Sequence, residues 1–183
     1  MWPNLFIRIK NKIGPCCRKP RLFVDMDGVL AAFNKEATED DLKRTEGYWK
    51  SLPAQTAVVN AVRKIAADGF IEVWIITHYL PDADYVIPEK NAWKSREIPE
   101  VPLIFAEYGK DKAKVVESVT GKKVTKNDIL LDDFTKNLEA WEAAGGTGIK
   151  LLNGINDTHG SWKGLRIHKD ECPAVLRTAI ELA

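Results

Sequence analysis

The chain is 183 residues long and 45% hydrophobic, which excludes disorder and fits one domain carrying at most a small insertion. Lys and Arg number 27 against 26 Asp and Glu, a net charge of +1, so no overall field draws it to nucleic acid or to a membrane surface. Its cysteines, Cys16, Cys17 and Cys172, cannot close a disulfide framework and lack metal-ligand spacing, which points to a reducing cytoplasm.

Residues 1–20 read as a basic arm, with Arg8, Lys10, Lys12, Arg18 and Lys19 and no acid. Leu5, Phe6, Ile7, Ile9 and Ile13 are interrupted by charge, too short a run for a signal sequence or a membrane span. Residues 21–183 form the core. Five short apolar runs predict strands: Arg21–Asp25, Ile71–Thr77, Val101–Phe105, Asp128–Leu131 and Thr147–Leu152. Continuous rather than alternating apolarity predicts strands buried on both faces of a parallel sheet.

Helices are expected between them. Val58, Val59, Val62, Ile65 and Ala66 make one apolar face, and Gly69 is placed to end that helix. Asp111–Val119, Thr135–Ala144 and Pro173–Leu182 read as three more. Alternating strands and helices predict an α/β fold, a Rossmann-like three-layer α/β/α sandwich around a parallel sheet. The polar segment Asn34–Pro53 breaks the rhythm. It reads as a small cap inserted after the first strand, above the carboxyl edge of the sheet.

Chemistry gathers at strand ends, where open α/β sheets bind ligands. Leu22-Phe23-Val24 runs into Asp25-Met26-Asp27-Gly28. Strand alternation predicts that Asp25 and Asp27 lie side by side. Two such anions repel unless a cation or a proton joins them, and all-oxygen donors suit Mg2+. Trp74-Ile75-Ile76 ends in Thr77. Lys110-Asp111-Lys112 opens a helix. Leu130-Leu131 ends in Asp132-Asp133. Each has a structural alternative: an Asp-Gly turn at Asp27, a strand-end hydroxyl at Thr77, a helix cap at Asp132-Asp133, and Lys110 as rival to Lys112.

These four motifs, in this order, resemble the haloacid dehalogenase (HAD) superfamily of phosphotransferases. Within it the chain looks like the 5′(3′)-deoxyribonucleotidase group and its bacterial relatives, over roughly residues 21 to 168. Leu131-Asp132-Asp133-Phe134-Thr135-Lys136-Asn137-Leu138 and Leu151-Leu152-Asn153-Gly154-Ile155-Asn156 match the bacterial relatives further. The resemblance implies a HAD-like phosphatase that uses Mg2+. Asp25 would attack phosphorus, Asp27 would shuttle the proton, Thr77 would bind phosphate, and Lys112 would offset charge. Asp25, Asp27 (through its carbonyl), Asp132 and Asp133 would hold the metal.

Phe33 stands where that group carries a base-stacking aromatic, and Tyr48 and Trp49 offer a second wall; the alternative is that Phe33 and Trp49 anchor the cap to the core. His78, beside Thr77, is read as a substrate contact, a second acid or a polar packing residue, and Asn153 and Trp162 are expected in a loop bordering the site. The expected substrate is a small phosphorylated molecule, first a nucleoside monophosphate, with no stable nucleic-acid complex. A sugar phosphate, another small ester or a nucleic-acid 3′ phosphate is the alternative, and a catalytically idle binding domain is a third reading. The insertion is shorter than the helical cap of mammalian nucleotidases, which implies a more open site and weaker base selection.

Overall fold

The computed structural model describes residues 18–34, 36–38, 45–156 and 162–182. The basic arm falls outside them as far as residue 17. Six strands form one all-parallel sheet: β1 (Arg21–Val24), β2 (Glu72–Tyr79), β3 (Leu103–Glu107), β4 (Asp128–Asp132), β5 (Thr147–Leu152) and β6 (Leu165–His168). Their order is β3-β2-β1-β4-β5-β6. β1, the shortest to reach the site, is thus central, with β2 on one side and β4 on the other.

The helices are α1 (Tyr48–Ser51), α2 (Thr56–Asp68), α3 (Val86–Glu97), α4 (Lys112–Thr120), α5 (Thr135–Ala143) and α6 (Cys172–Leu182). Strand alternation sends neighbouring side chains to opposite faces, and two cores result. Leu22, Val24, Ile75 and Leu131 pack with Val58 and Val62 of α2, Val86 and Trp93 of α3, and Leu176 of α6. Phe23, Ile76 and Leu130 pack with Val116 of α4 and with Leu138 and Trp141 of α5. The expected three-layer α/β/α sandwich is present. α2 stops where Gly69 adopts φ 69°, a conformation cheap only for glycine. Among the described residues no helix is long and apolar enough to cross a membrane.

Two elements depart from the sequence reading. β6 was not expected, because Leu165-Arg166-Ile167-His168 alternates: Ile167 is buried and Arg166 exposed, as suits an edge strand. α3 was not expected either. Its buried positions, Val86, Glu89, Lys90 and Trp93, keep helical spacing, but two of the four are charged. A search for apolar periodicity passes over such a helix.

The insertion between β1 and α2 is pinned at its neck. Ala32 N–H donates to Pro53 O at 2.8 Å, and Gln55 N–H to Leu30 O at 2.7 Å. Its short helix α1 lies on α3. Glu89 accepts the amides of Gly47, Trp49 (3.0 Å) and Lys50 (3.4 Å), and Trp93 Nε1 donates to Leu52 O at 2.8 Å. A buried carboxylate thus satisfies the open N–H groups at the start of a one-turn helix.

Candidate active site

The register brings the acids together. Val24 pairs with Leu131, so the next residues, Asp25 and Asp132, end adjacent strands side by side. Asp25 N–H continues the ladder to Leu131 O at 2.9 Å. Asp133 follows at once, and carboxylate oxygens of Asp25, Asp132 and Asp133 all lie within 4.8 Å of one another, all three residues buried. Gly28 closes over this group with φ 82°; a Cβ there would lie 2.5 Å from Asp133 Oδ2.

Lys112 opens α4 behind an N-cap, Asp111, whose carboxylate accepts Ala113 N–H at 2.8 Å. Its Nζ donates to Asp25 Oδ1 and to Asp132 Oδ2, both at 2.7 Å. Lys110 is exposed and contributes its carbonyl, 3.0 Å from His78 Nε2. Asp132 is fixed further by Asn137 Nδ2 at 2.9 Å and Phe134 N–H at 2.8 Å. Asp133 Oδ2 accepts Asn153 Nδ2 and Asn156 Nδ2, each at 2.8 Å. Lys150, buried, holds the Asp133 carbonyl at 2.7 Å.

Burial pushes the Asp25 carboxyl well above its usual range; Lys112 opposes the rise, and Asp132, Asp27 and Asp133 add to it. Burial and then Asp132 raise Asp133 to about 6, against hydrogen bonds from Asn156 and Asn153 and the charge of Lys112. For Lys112 burial pulls down, but Asp132 and Asp25 outweigh it and hold the ammonium above its normal value. Burial, then the charge of Lys112, lowers His78, so its ring is neutral at pH 7. Three crowded buried carboxylates against one ammonium make a donor set of hard oxygens with excess negative charge, which fits a small divalent cation.

Strand geometry does not extend to Asp27, although its charge still acts on Asp25. β1 ends at Val24, and the chain turns around the Met26 carbonyl, which accepts the amides of Leu30 (2.9 Å) and Ala31 (2.8 Å). The two acids meet different cations. Asp27 Oδ2 accepts the Nζ of Lys90 and, at 3.1 Å, the hydroxyl of Thr77. Thr77 takes Lys90 Nζ at 2.8 Å. Lys112 therefore reaches the site from the α4 layer, and Lys90 from the α3 layer.

The other expected residues are spread around this centre. Phe33 is half-buried, its ring centroid 6.3 Å from those of Tyr48 and Trp49. Trp49 is 5% exposed and gives its face to Lys90, at 4.2 Å. His78 stacks edge-on against exposed Tyr108 at 6.2 Å. Asn153 touches the acid cluster, whereas Trp162 lies in the core against Gly148 and Gly164. A cavity of about 700 Å³ next to the insertion is lined by Phe33, Asn34, Gln55, Thr56, Asn153 and Lys169, among others.

Solved structures with this architecture span the chain. The D,D-heptose 1,7-bisphosphate phosphatase of B. bronchiseptica, complexed with magnesium and phosphate, matches at a TM-score of 0.65 and 13% identity, over 89% of this chain and 99% of its own. The enzyme of that name from Burkholderia Thailandensis gives 0.62 at 13% identity, over 90% and 98%. A HAD family hydrolase from Deinococcus radiodurans with bound phosphate and sodium gives 0.55 at 12% identity, over 88% and 97%. No family model and no curated protein sequence matches the chain. At these identities the likeness is one of fold: the chain has the α/β architecture of the HAD hydrolases, as its four motifs implied.

Proposed function

We propose that the chain is a Mg2+-dependent phosphomonoesterase that works through an aspartyl-phosphate on Asp25. The observation that carries this reading is the cluster of Asp25, Asp132 and Asp133 oxygens within 4.8 Å, with Lys112 bridging the first two. It is the arrangement an anionic ester needs, because a phosphate monoester repels nucleophiles until its charge is offset.

Asp25 attacks phosphorus and the bond to the leaving oxygen breaks, which splits one hard displacement into two. Asp27 gives that oxygen a proton, then takes one from the water that cleaves the aspartyl-phosphate. Lys112 offsets charge on the phosphoryl oxygens and on Asp25. Thr77 supplies a hydroxyl to the phosphate. Asp25, Asp132, Asp133 and the carbonyl of Asp27 would hold Mg2+, which when bound neutralises phosphoryl charge and fixes its orientation. The full set of acids, hydroxyl and lysine argues against an idle binding domain.

For the substrate, a (deoxy)nucleoside monophosphate is supported by Phe33, half-buried beside the cavity, as a stacking surface for the base. A sugar phosphate is the second reading. It is favoured by the match to heptose bisphosphate phosphatases over nearly the whole of both chains.

One assay decides. Hydrolysis of p-nitrophenyl phosphate is measured with and without Mg2+, followed by panels of 5′- and 3′-nucleotides and of sugar phosphates, with Asp25→Asn as control. Mg2+-dependent turnover abolished by Asp25→Asn is expected, with nucleotides preferred. No Mg2+-dependent turnover would refute the enzyme, turnover surviving Asp25→Asn would refute the mechanism, and a preference for sugar phosphates would select the second reading.

A further inference from the structure

Lys90 belongs to none of the four motifs, yet its ammonium lies against the residue proposed above to carry the proton. It is 0% exposed, on α3, a helix whose other buried residues include only two apolar ones. Desolvating an ammonium costs several kcal/mol unless its donors are met. All three N–H bonds are used: to Asp27 Oδ2, to Thr77 Oγ1 at 2.8 Å and to the His78 carbonyl at 2.7 Å. Its remaining approach is over the Trp49 ring, 4.2 Å from the centroid, a favourable site for a cation.

The two oxygens of Asp27 are treated unequally. Oδ2 accepts from both Lys90 and Thr77, whereas Oδ1 is buried and has no hydrogen-bond partner among the described residues. A carboxylate held by one oxygen has a fixed plane, and its second oxygen is kept for another partner. We infer that Lys90 is a positioning residue for proton transfer: it anchors Asp27 through Oδ2 and leaves Oδ1 to exchange the proton. The inference rests on the acid–base role proposed for Asp27. In the first step the phosphorus–ester bond breaks, the bond from Asp25 forms, and the proton passes from Oδ1 to the leaving oxygen. In the second, water gives a proton back to Oδ1 as its oxygen bonds phosphorus, and Asp25 is released with inorganic phosphate.

Lys90 also ties this carboxylate to the insertion. Its neighbour Glu89 holds the amides that open α1, and Lys90 itself lies on the ring that α1 contributes. Consecutive residues of α3 thus seat α1 and orient Asp27, so a displaced α1 disturbs the acid.

The test is the dependence of kcat/KM on the leaving group, across aryl phosphates from p-nitrophenyl to p-methylphenyl. p-Nitrophenolate departs without a proton; p-methylphenolate needs one. The native protein with Mg2+ is expected to show a shallow slope. Lys90→Met, checked by its melting curve, should lose only a few-fold on the nitrophenyl ester and about 100-fold on the methylphenyl ester, within the range of general acid catalysis. Lys90→Gln keeps an N–H donor and should recover part of the shallow slope; it also serves as the test if the methionine variant fails to fold. A parallel loss on every ester in a folded variant would mean that Lys90 acts on phosphate binding or stability, and would overturn its positioning role alone. A native protein that hydrolyses none of the esters would overturn the phosphatase reading as well.

Discussion

Replacing Lys112 with methionine removes the one ammonium between Asp25 and Asp132. The three residues are 3%, 6% and 0% exposed, and both contacts are 2.7 Å. Water cannot take over the lost donor, so two buried carboxylates are left facing each other beside Asp133. Breaking a buried pair by deleting one partner costs about 3–5 kcal/mol. For a chain of this size each kcal/mol lowers Tm by about 2–4 °C, so Lys112→Met should melt roughly 6–20 °C below the native protein in EDTA. The penalty should be larger at pH 8 than at pH 5, because without Lys112 the Asp25 carboxyl rises further and takes up a proton at the acid end. Millimolar Mg2+ should restore much of the stability, since a cation among the same oxygens screens them. It should not restore turnover, for which a loss of roughly 100- to 1000-fold is expected once the charge facing the phosphoryl group is gone. Melting curves in EDTA and in Mg2+, with exposed Lys110→Met as control, read all of this. A Lys112→Met protein that melts with the native one in EDTA would refute the claim that this ammonium holds the acids together.

Two further outcomes follow from the same cluster. Asp133 titrates near 6 when folded against an ordinary 3.8, so between about pH 4 and 6 the folded chain binds the proton that the unfolded chain has released. Stability of the metal-free protein should therefore fall as pH rises through that window, by about 3 kcal/mol from this group, and Asp133→Asn should remove that part of the slope in urea titrations. A slope identical in Asp133→Asn would assign it elsewhere. Gly28→Ala sets a Cβ 2.5 Å from Asp133 Oδ2 and 3.0 Å from Asn153 Nδ2 at φ 82°. It should cost about 1–3 kcal/mol and shift the Mg2+ dependence of Tm to higher concentration; an unchanged Mg2+ titration would count against the close approach.

What the sequence made legible was what burial and charge write on neighbouring residues. The apolar runs that end in Asp25, Thr77 and Asp132 fixed the carboxyl edge, because a parallel sheet must be apolar on both faces and its polar residues collect where the strands stop. Lys112 was preferred to Lys110 because the helix-start position in Gly109-Lys110-Asp111-Lys112-Ala113 fits the motif lysine of the family the chain resembles. Lys90 was not, because α3 buries charge at the positions where an apolar stripe is sought. The readable signal was there in another form: Val86, Glu89, Lys90 and Trp93 at helical spacing, with a carboxylate and an ammonium adjacent. That Asp25 and Asp27 meet different cations was hidden for a different reason. Strand alternation holds only as far as the ladder does, and β1 gives way to a turn at Met26. Asn156 stood in a matching segment without an assigned role, because an amide donor to a carboxylate leaves no pattern in composition or period.

The hydrogen-bonded neck at Ala32–Pro53 and Leu30–Gln55 has a consequence for how such a protein diversifies. It closes the excursion before the excursion begins, so the sheet meets two fixed ends whatever lies between them. Lengthening a loop whose ends are already joined costs little, since closure entropy grows only with the logarithm of length. Grafting a longer segment between residues 38 and 45, ahead of α1, should then retune which esters are accepted while Trp49 stays over Lys90 and the proposed phosphorus chemistry below is kept. On the proposed function, the joint would make substrate choice an exchangeable part.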